Sequence, residues 1–221
     1  MSCRFKIYQT NITVILKYEV GGVEYPSVTT ILNVVAKPFL IKWANRLGKE
    51  GIDYEEYLKN AANTGTLTHL FIENYINKKN GTDLNNYNKK QLDLANKLFE
   101  NFKGWYSKQQ RNPIFTELSM VSERLGFGGT CDFVFEDNNN FCLVDFKTTT
   151  HIQREYFIQL LAYSLLLKEK KGIIVDTLSI LRLTEEGYEY QEMKITEAKD
   201  KYYEYFMACK TLYEIKKKVF E

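Results

Sequence analysis

The segment Leu143-Val144-Asp145-Phe146-Lys147-Thr148-Thr149 sets an acid and an amine two residues apart inside an otherwise apolar run. Side chains alternate faces along a strand, so Asp145 and Lys147 share one face and Val144 and Phe146 the other. Solvation alone does not put ionic groups among residues that bury. Upstream, Gly128-Gly129-Thr130-Cys131-Asp132-Phe133-Val134-Phe135 carries a second acid in an apolar strand. A hairpin through Asn138-Asn139 brings Asp132 and Asp145 onto neighbouring strands. Two carboxylates held together repel, and a divalent cation resolves the conflict. Hard oxygen ligands favour Mg2+ or Mn2+ over zinc, and no cluster of Cys or His spacing competes for the ion. For Asp-x-Lys taken alone, the plain alternative is a surface ion pair worth about 0–1 kcal/mol.

Three further features share the chain with this pair. Gly65-Thr66-Leu67-Thr68-His69 sets His69 one turn after a glycine on a helix. Glu117 lies on a strand upstream of Asp132. Gln159 and Tyr163, four residues apart on a Leu-rich helix, share a face. Singly, each has a structural reading: a satisfied histidine, a solvated glutamate, and a Gln–Tyr pair that satisfies itself. Their joint order, Gly-x-x-x-His, Glu, Gly-x-x-Asp, Asp-x-Lys-Thr and Gln-x-x-x-Tyr, says more than any of its pieces.

The elements that must position these residues read as follows. Residues 3–25 form a hairpin, with Ile12, Val14 and Leu16 alternating against Thr13, Ile15 and Lys17, and Gly21-Gly22 as its turn. Ser27 caps a short helix that Pro38 ends. Residues 39–62 are helical, divided by Gly48 and Gly51. Asn63 or Thr64 caps a helix from Gly65 to Lys79, closed by Asn80-Gly81, and a long amphipathic helix covers 88–110. Strands over Ile114–Ser122, Leu125–Phe135 and Phe141–Thr148 make an antiparallel meander. A helix over 153–170, strands over Ile173–Leu183 and Tyr188–Met193, and a helix over 196–219 complete the chain. The fold class is α/β in mixed form: a mixed central sheet flanked by helices, with an N-terminal hairpin and helical elaboration. A single domain spans 1–221, with the elaboration in 1–110 and the core in 111–221.

Composition narrows the function classes. In 221 residues, 30 Lys and Arg against 28 Asp and Glu leave a net charge of +2, so any nucleic acid is bound by a local patch rather than by the overall field. No apolar run is long enough to span a membrane, and the first residues lack a signal peptide's apolar core. Cys3, Cys131, Cys142 and Cys209 are scattered, without zinc-ribbon spacing, and read as reduced thiols of a cytoplasmic protein. There is no Gly-x-x-x-x-Gly-Lys-Ser/Thr loop, so no ATP motor is expected. The Lys216-Lys217-Lys218 run reads as a solvated helix face.

In its ordered motifs, and in Tyr25-Pro26-Ser27-Val28-Thr29-Thr30-Ile31-Leu32, the sequence resembles the RecB-like branch of the PD-(D/E)XK nuclease superfamily. Within that branch it is similar to small exonucleases, including phage versions and the mitochondrial genome maintenance exonuclease. The resemblance runs from about Tyr25 to Tyr163. It implies a restriction-endonuclease-like core and Mg2+- or Mn2+-dependent hydrolysis of DNA phosphodiesters, in replication, recombination or repair. It implies His69, Asp132, Asp145 and the Phe146 carbonyl as ligands of one or two ions, and Lys147 as the group that positions water and offsets phosphate charge. Glu117 then supports the metal site, Gln159 and Tyr163 brace it and contact the nucleic-acid backbone, and Thr148 and Thr149 touch phosphate. No cysteines flank the core as an iron–sulfur cluster of some relatives requires, so no cluster is expected. The substrate implied is DNA with a single-stranded or free end, guided by an arch over 26–60 that carries Trp43 and Arg46, with Lys42 and Lys49 beside them. Trp43 equally reads as a packing residue. Two other functions fit the same string, a structure-specific endonuclease on this fold and a non-catalytic nucleic-acid-binding module. The host compartment implied is the cytoplasm of a bacterial or phage-infected cell. Oligomeric state is not legible.

Overall fold

Apolar runs separated by tight turns, with one Leu-rich helix between the third and fourth, dictate a five-stranded mixed sheet. The computed structural model describes residues 4–9, 14–81, 83–108 and 111–220, with the side chains of 4–9 and 14–16 left aside. In chain order its elements are β1 (Arg4–Gln9), β2 (Val14–Val20), β3 (Val23–Pro26), α1 (Val28–Leu32), α2 (Pro38–Lys49), α3 (Tyr54–Ile76) and α4 (Lys89–Tyr106). There follow β4 (Asn112–Ser122), β5 (Phe127–Asp137), β6 (Asn140–Lys147), α5 (Arg154–Lys171), β7 (Thr177–Leu183), β8 (Tyr188–Lys194) and α6 (Ile195–Phe220).

The expected hairpin is larger than its turn suggested. β2 and β3 pair around Gly21-Gly22, and β1 pairs antiparallel with β2 to make a three-stranded sheet. Ile12 and Thr13 lie outside the described residues. The Ser27 cap is present, its hydroxyl accepting from the Thr30 N–H at 3.0 Å. Pro38, expected to end that helix, sits instead in the first turn of α2, where a missing N–H costs nothing. The expected break at Asn63 or Thr64 is absent. Asp53 caps one continuous helix that runs to Ile76, and Thr64 returns its hydroxyl to the Asn60 carbonyl inside it. Asn88 and Gln91 close a reciprocal capping box on α4.

The central sheet has the order β4-β5-β6-β7-β8, antiparallel except for the parallel β6–β7 pair. Parallel neighbours cannot be joined by a tight turn, and α5 makes the crossover. α5, α6 and α1 cover one face, over a core that includes Leu143, Leu161, Leu178 and Phe206. The other face packs under α3 and α4 as an aromatic cluster of Phe102, Trp105, Phe133, Phe135 and Phe146. The strand alternation expected for β6 holds: Leu143 faces the α5 side, Val144 and Phe146 the aromatic side. Cys131, Cys142 and Cys209 are buried free thiols, and burial pushes their titration upward. No helix among the described residues is long and apolar enough to cross a membrane.

Candidate functional site

The site forms where β5 and β6 stop pairing. Their ladder reaches Phe133↔Val144, and the next residues are Asp132 and Asp145. There the Asp132 carboxylate replaces a backbone acceptor, and Oδ2 takes the Phe146 N–H at 2.7 Å. The alternation of β5 breaks at the same point. Phe133 and Phe135 join the aromatic cluster, whereas Cys131 joins the core under α5. Across the β4–β5 pair, Thr116↔Phe133 and Leu118↔Cys131 bracket Glu117 and Asp132. Glu117 lies at φ +47°, a left-handed conformation that costs a non-glycine residue about 1–3 kcal/mol. Both strands are thus kinked where they present their acids.

α3 supplies the histidine. His69 Nε2 donates to the Phe146 carbonyl at 3.1 Å, and Nδ1 lies 3.4 Å from Glu117 Oε1 and 3.7 Å from Asp132 Oδ1. Gly65, one turn earlier, lets the helix come this close: a Cβ there would meet Thr148 Oγ1 at 3.3 Å. That contact gives the Gly-x-x-x-His spacing its physical meaning.

On the α5 side, the Lys147 ammonium lies 2.5 Å from Asp145 Oδ2 as an ion pair, without the directed geometry of a hydrogen bond. It also donates to Gln159 Oε1 at 3.4 Å and rests 4.8 Å from the Tyr156 ring centre. Gln159 Nε2 donates to the Tyr163 hydroxyl at 2.6 Å. Tyr163 lies over Gly129, where a Cβ would come within 2.3 Å of its ring; at Gly128 the same atom would meet Tyr18 at 2.7 Å. The glycine pair is therefore two notches for two tyrosines.

The electrostatics follow from this crowding. Burial pushes the Asp132 and Asp145 carboxyls upward, Asp145 to about 6, with Lys147 opposing and the neighbouring acids adding to the rise. Burial disfavours a charged His69, but Asp132 and Glu117 outweigh it and raise the imidazole to about 9. Burial likewise opposes the Lys147 charge, and Asp145 and Asp132 overcome it, so the amine titrates above its ordinary range. Around neutral pH the cluster thus carries protonated His69 and Lys147 against acids that burial resists ionising.

Donor atoms of His69, Glu117 and Asp132 all lie within 4.8 Å of one another. That is close to twice the ~2.1 Å bond of a small hard cation to oxygen, so these residues fit a divalent ion. The hydrogen bond from His69 Nε2 to the Phe146 carbonyl marks the same spot. Among the residues expected as ligands, His69, Asp132 and the Phe146 carbonyl converge. Asp145 adjoins them but engages Lys147, and Glu117 stands in the three-donor group directly rather than behind it. Thr149 accepts from the Tyr156 hydroxyl and donates to the His151 carbonyl. Trp43 packs edge-on against Tyr54 and Tyr57, joining α2 to α3, and Arg46 is exposed on α2.

Sequence reasoning passed over Tyr156 and Arg182. Arg182 pairs in register with Lys147, binds Glu189 at 2.8 Å, and donates to the carbonyls of Thr149 and Thr150. It pins the loop that follows the lysine. Its signal was present, because an arginine inside Leu181-Arg182-Leu183 is as out of place as Asp132 in its own strand.

A comparison with curated protein sequences finds no match. A solved structure described as "Crystal structure of SSO0001" aligns at 16% identity with a TM-score of 0.28. The alignment covers 47% of this chain and 53% of that one, so the chain spans about half of it. A family model for the PD-(D/E)XK nuclease superfamily matches residues 34–218, which takes in every element from α2 to β8, nearly all of α6 and each residue of the strand-end cluster. With most of its length inside that match, the chain belongs to the PD-(D/E)XK nuclease superfamily of metal-dependent nucleases.

Proposed function

We propose that this nuclease is a Mg2+- or Mn2+-dependent exodeoxyribonuclease that acts on single-stranded ends in DNA replication, recombination or repair, as in the RecB-like branch it resembles. The observation that supports this reading is the meeting of His69, Glu117, Asp132 and the Asp145–Lys147 pair at one strand end. His69, Asp132, Asp145 and the Phe146 carbonyl would hold one or two ions, and Glu117 would join them as a further donor. A bound divalent cation there supplies Lewis-acid stabilisation of the charge that builds on a phosphodiester and lowers the pKa of bound water.

The chain's own groups do the rest. Beside Asp145 and Asp132, Lys147 holds its proton more tightly than a free amine, and its role here is to orient the attacking water and offset phosphate charge. Asp145 and Gln159 fix the direction of its ammonium, and Tyr163 fixes Gln159. Thr148 and Thr149 follow on the same loop and contact the strand's phosphates, with Gln159 and Tyr163 lining the backbone path. Arg46, with Lys42 and Lys49 exposed beside it on α2, draws in the strand electrostatically. Trp43 acts here by holding α2 to α3.

End-labelled single- and double-stranded oligonucleotides, with free or blocked ends, test this reading. Free single-stranded ends should be degraded with Mg2+ or Mn2+ and spared with EDTA. Asp145→Ala and Lys147→Ala should each lower the rate by on the order of 10^3-fold while the circular dichroism spectrum stays native, since several kcal/mol of charge stabilisation is lost at ~1.4 kcal/mol per tenfold. Equal cutting of circular single strands would refute end dependence, and near-native rates in both variants would refute the site.

A further inference from the structure

A cavity of about 610 Å3 opens beside the strand-end cluster, walled by α3 and α4 on one side and by the loop after Lys147 and the β7–β8 turn on the other. The volume falls in the ~300–1,000 Å3 range of small-ligand sites. Thr148 forms part of its wall, so the cavity adjoins the loop that follows Lys147 at the end of β6. Its charges cancel. Arg182 is spent on Glu189 and on the Thr149 and Thr150 carbonyls, and Glu185 pairs with Lys97. Among the described residues, the one lining cation without an ion-pair partner is the exposed Lys90, and Glu186 offsets its charge on the same lining.

The neutral polar groups are built with more care. Asn60 Oδ1 accepts from Gln91 Nε2 at 2.8 Å, and Gln91 Oε1 accepts from the Asn88 N–H at 3.0 Å. This chain fixes both amide orientations and leaves Asn60 Nδ2 without a hydrogen-bond partner among the described residues. Leu94 and Leu98 supply an apolar wall. A flat apolar body with donors and acceptors along one edge suits this lining, and a phosphate does not.

We infer that the cavity receives an unpaired base of the strand being cut, at a nucleotide neighbouring the scissile phosphate. The inference rests on the nuclease reading above and deepens it. A base within a duplex reaches such a cavity only by leaving the stack, at a cost of a few kcal/mol. The cavity is thus a physical reason for single-strand preference, independent of the α2 arm.

Single-stranded oligonucleotides carrying one abasic position at successive distances from a labelled end test it, with Mg2+, beside hydrolysis of bis(4-nitrophenyl) phosphate, which has no base. Wild type should slow about tenfold when the abasic position falls in the cavity, as expected for one lost base contact. Ala61→Trp fills the cavity from an exposed position of α3, where folding tolerates it. It should lower the ratio of oligonucleotide to diester rates about tenfold and flatten the abasic scan, with Asn60→Ala producing a smaller change of the same sign. A flat scan in wild type, with both substrates hydrolysed, overturns the cavity assignment alone. An Ala61→Trp variant that keeps both the ratio and the scan overturns it too. Hydrolysis of neither substrate overturns the nuclease reading and takes the cavity with it.

Discussion

The strand-end cluster carries five ionisable side chains and the α2 arm three, on very different supports. Asp145 is 3% exposed and lies between Val144 and Phe146, both buried; the chain around it has no freedom left to lose. α2 buries Leu47 alone and leaves Ile41 75% and Phe39 55% exposed. The difference teaches where geometry is needed and where charge suffices. A group that must meet a phosphorus atom within tenths of an ångström has to sit on elements whose rotamers are locked by packing. A group that steers a polyanion acts over a Debye length of about 8–10 Å and works from a loosely packed helix. Perturbing the packed region should therefore couple stability to activity, and perturbing the arm should not.

The strongest break of that contrast is Gly129→Ala. The new Cβ would lie 2.3 Å from the Tyr163 ring, against a side chain that is buried and bonded to Gln159. Overpacking of this kind costs about 1–3 kcal/mol. The relief available to Tyr163 is to move, which loosens Gln159 and then Lys147. Urea unfolding should show the destabilisation, and the rate on an oligonucleotide should fall further than the loss of folded protein accounts for. Tyr163→Ala in the Gly129→Ala background removes the clash, so the double variant should lose less stability than the two single losses summed, without recovering rate. A variant with lowered stability and an unchanged rate per folded molecule would uncouple the two and defeat the comparison.

This brace shows which parts of the molecule were legible in the sequence. Asp132, Asp145 and Lys147 were readable because each violates an apolar strand pattern, and an ionic group is rarely carried in a buried run without a partner or a task. Gly128-Gly129 was visible as a pair but not as notches, because what fills a notch comes from Tyr18 and Tyr163, far along the chain. The fold order was readable from period and turns. The unbroken α3 was not, since Asn63-Thr64-Gly65 looks like a cap and breaker. Tertiary contact with Thr148 and the α4 packing hold that stretch helical against its propensity. The left-handed Glu117 left no trace at all, as a glutamate carries no conformational signature.

A second, smaller test uses the cluster's charge. His69 titrates about 9 in the folded, metal-free protein against 6.5 when unfolded, so the folded state holds the proton more tightly. Its contribution to stability is full below about pH 6.5 and is lost as pH rises toward 9. Asp145, raised to about 6, acts in the same direction between about pH 4 and 6, where its ionisation is resisted. In EDTA the melting temperature of wild type relative to His69→Gln should fall from pH 6.5 to 9. With His69 partly exposed the effect is discounted to about 1 kcal/mol, or ~2–4 °C for a chain of this size. Adding Mg2+ or Mn2+ at pH 9 should reverse the fall, because a cation there replaces the proton that the acids otherwise require. A difference that stays flat over this range would mean that the acids and His69 are not coupled as the geometry has them.

The arm should give the smallest effect and the most distinctive one. Arg46 is exposed, has no ion-pair partner among the described residues, and stands on a helix whose only buried residue is Leu47. Arg46→Ala should leave urea unfolding within ~0.5 kcal/mol of wild type, as for a surface substitution away from caps and pairs. If the residue meets one phosphate of a single strand, the slope of log K against log salt should fall by about 0.7. The measurement is a salt titration of oligonucleotide binding in an Asp145→Asn background, which separates binding from cleavage. Because counterion release depends on charge count and not on fixed geometry, Arg46→Lys should recover most of the slope. The converse exchange, Lys147→Arg, should not retain rate, since a planar guanidinium cannot occupy the ammonium's place between Asp145 and Gln159. Interchangeable cations on the arm and a non-interchangeable one at the strand end are what the two supports require. An Arg46→Lys variant that fails to recover would assign the arm a geometric role and remove the distinction.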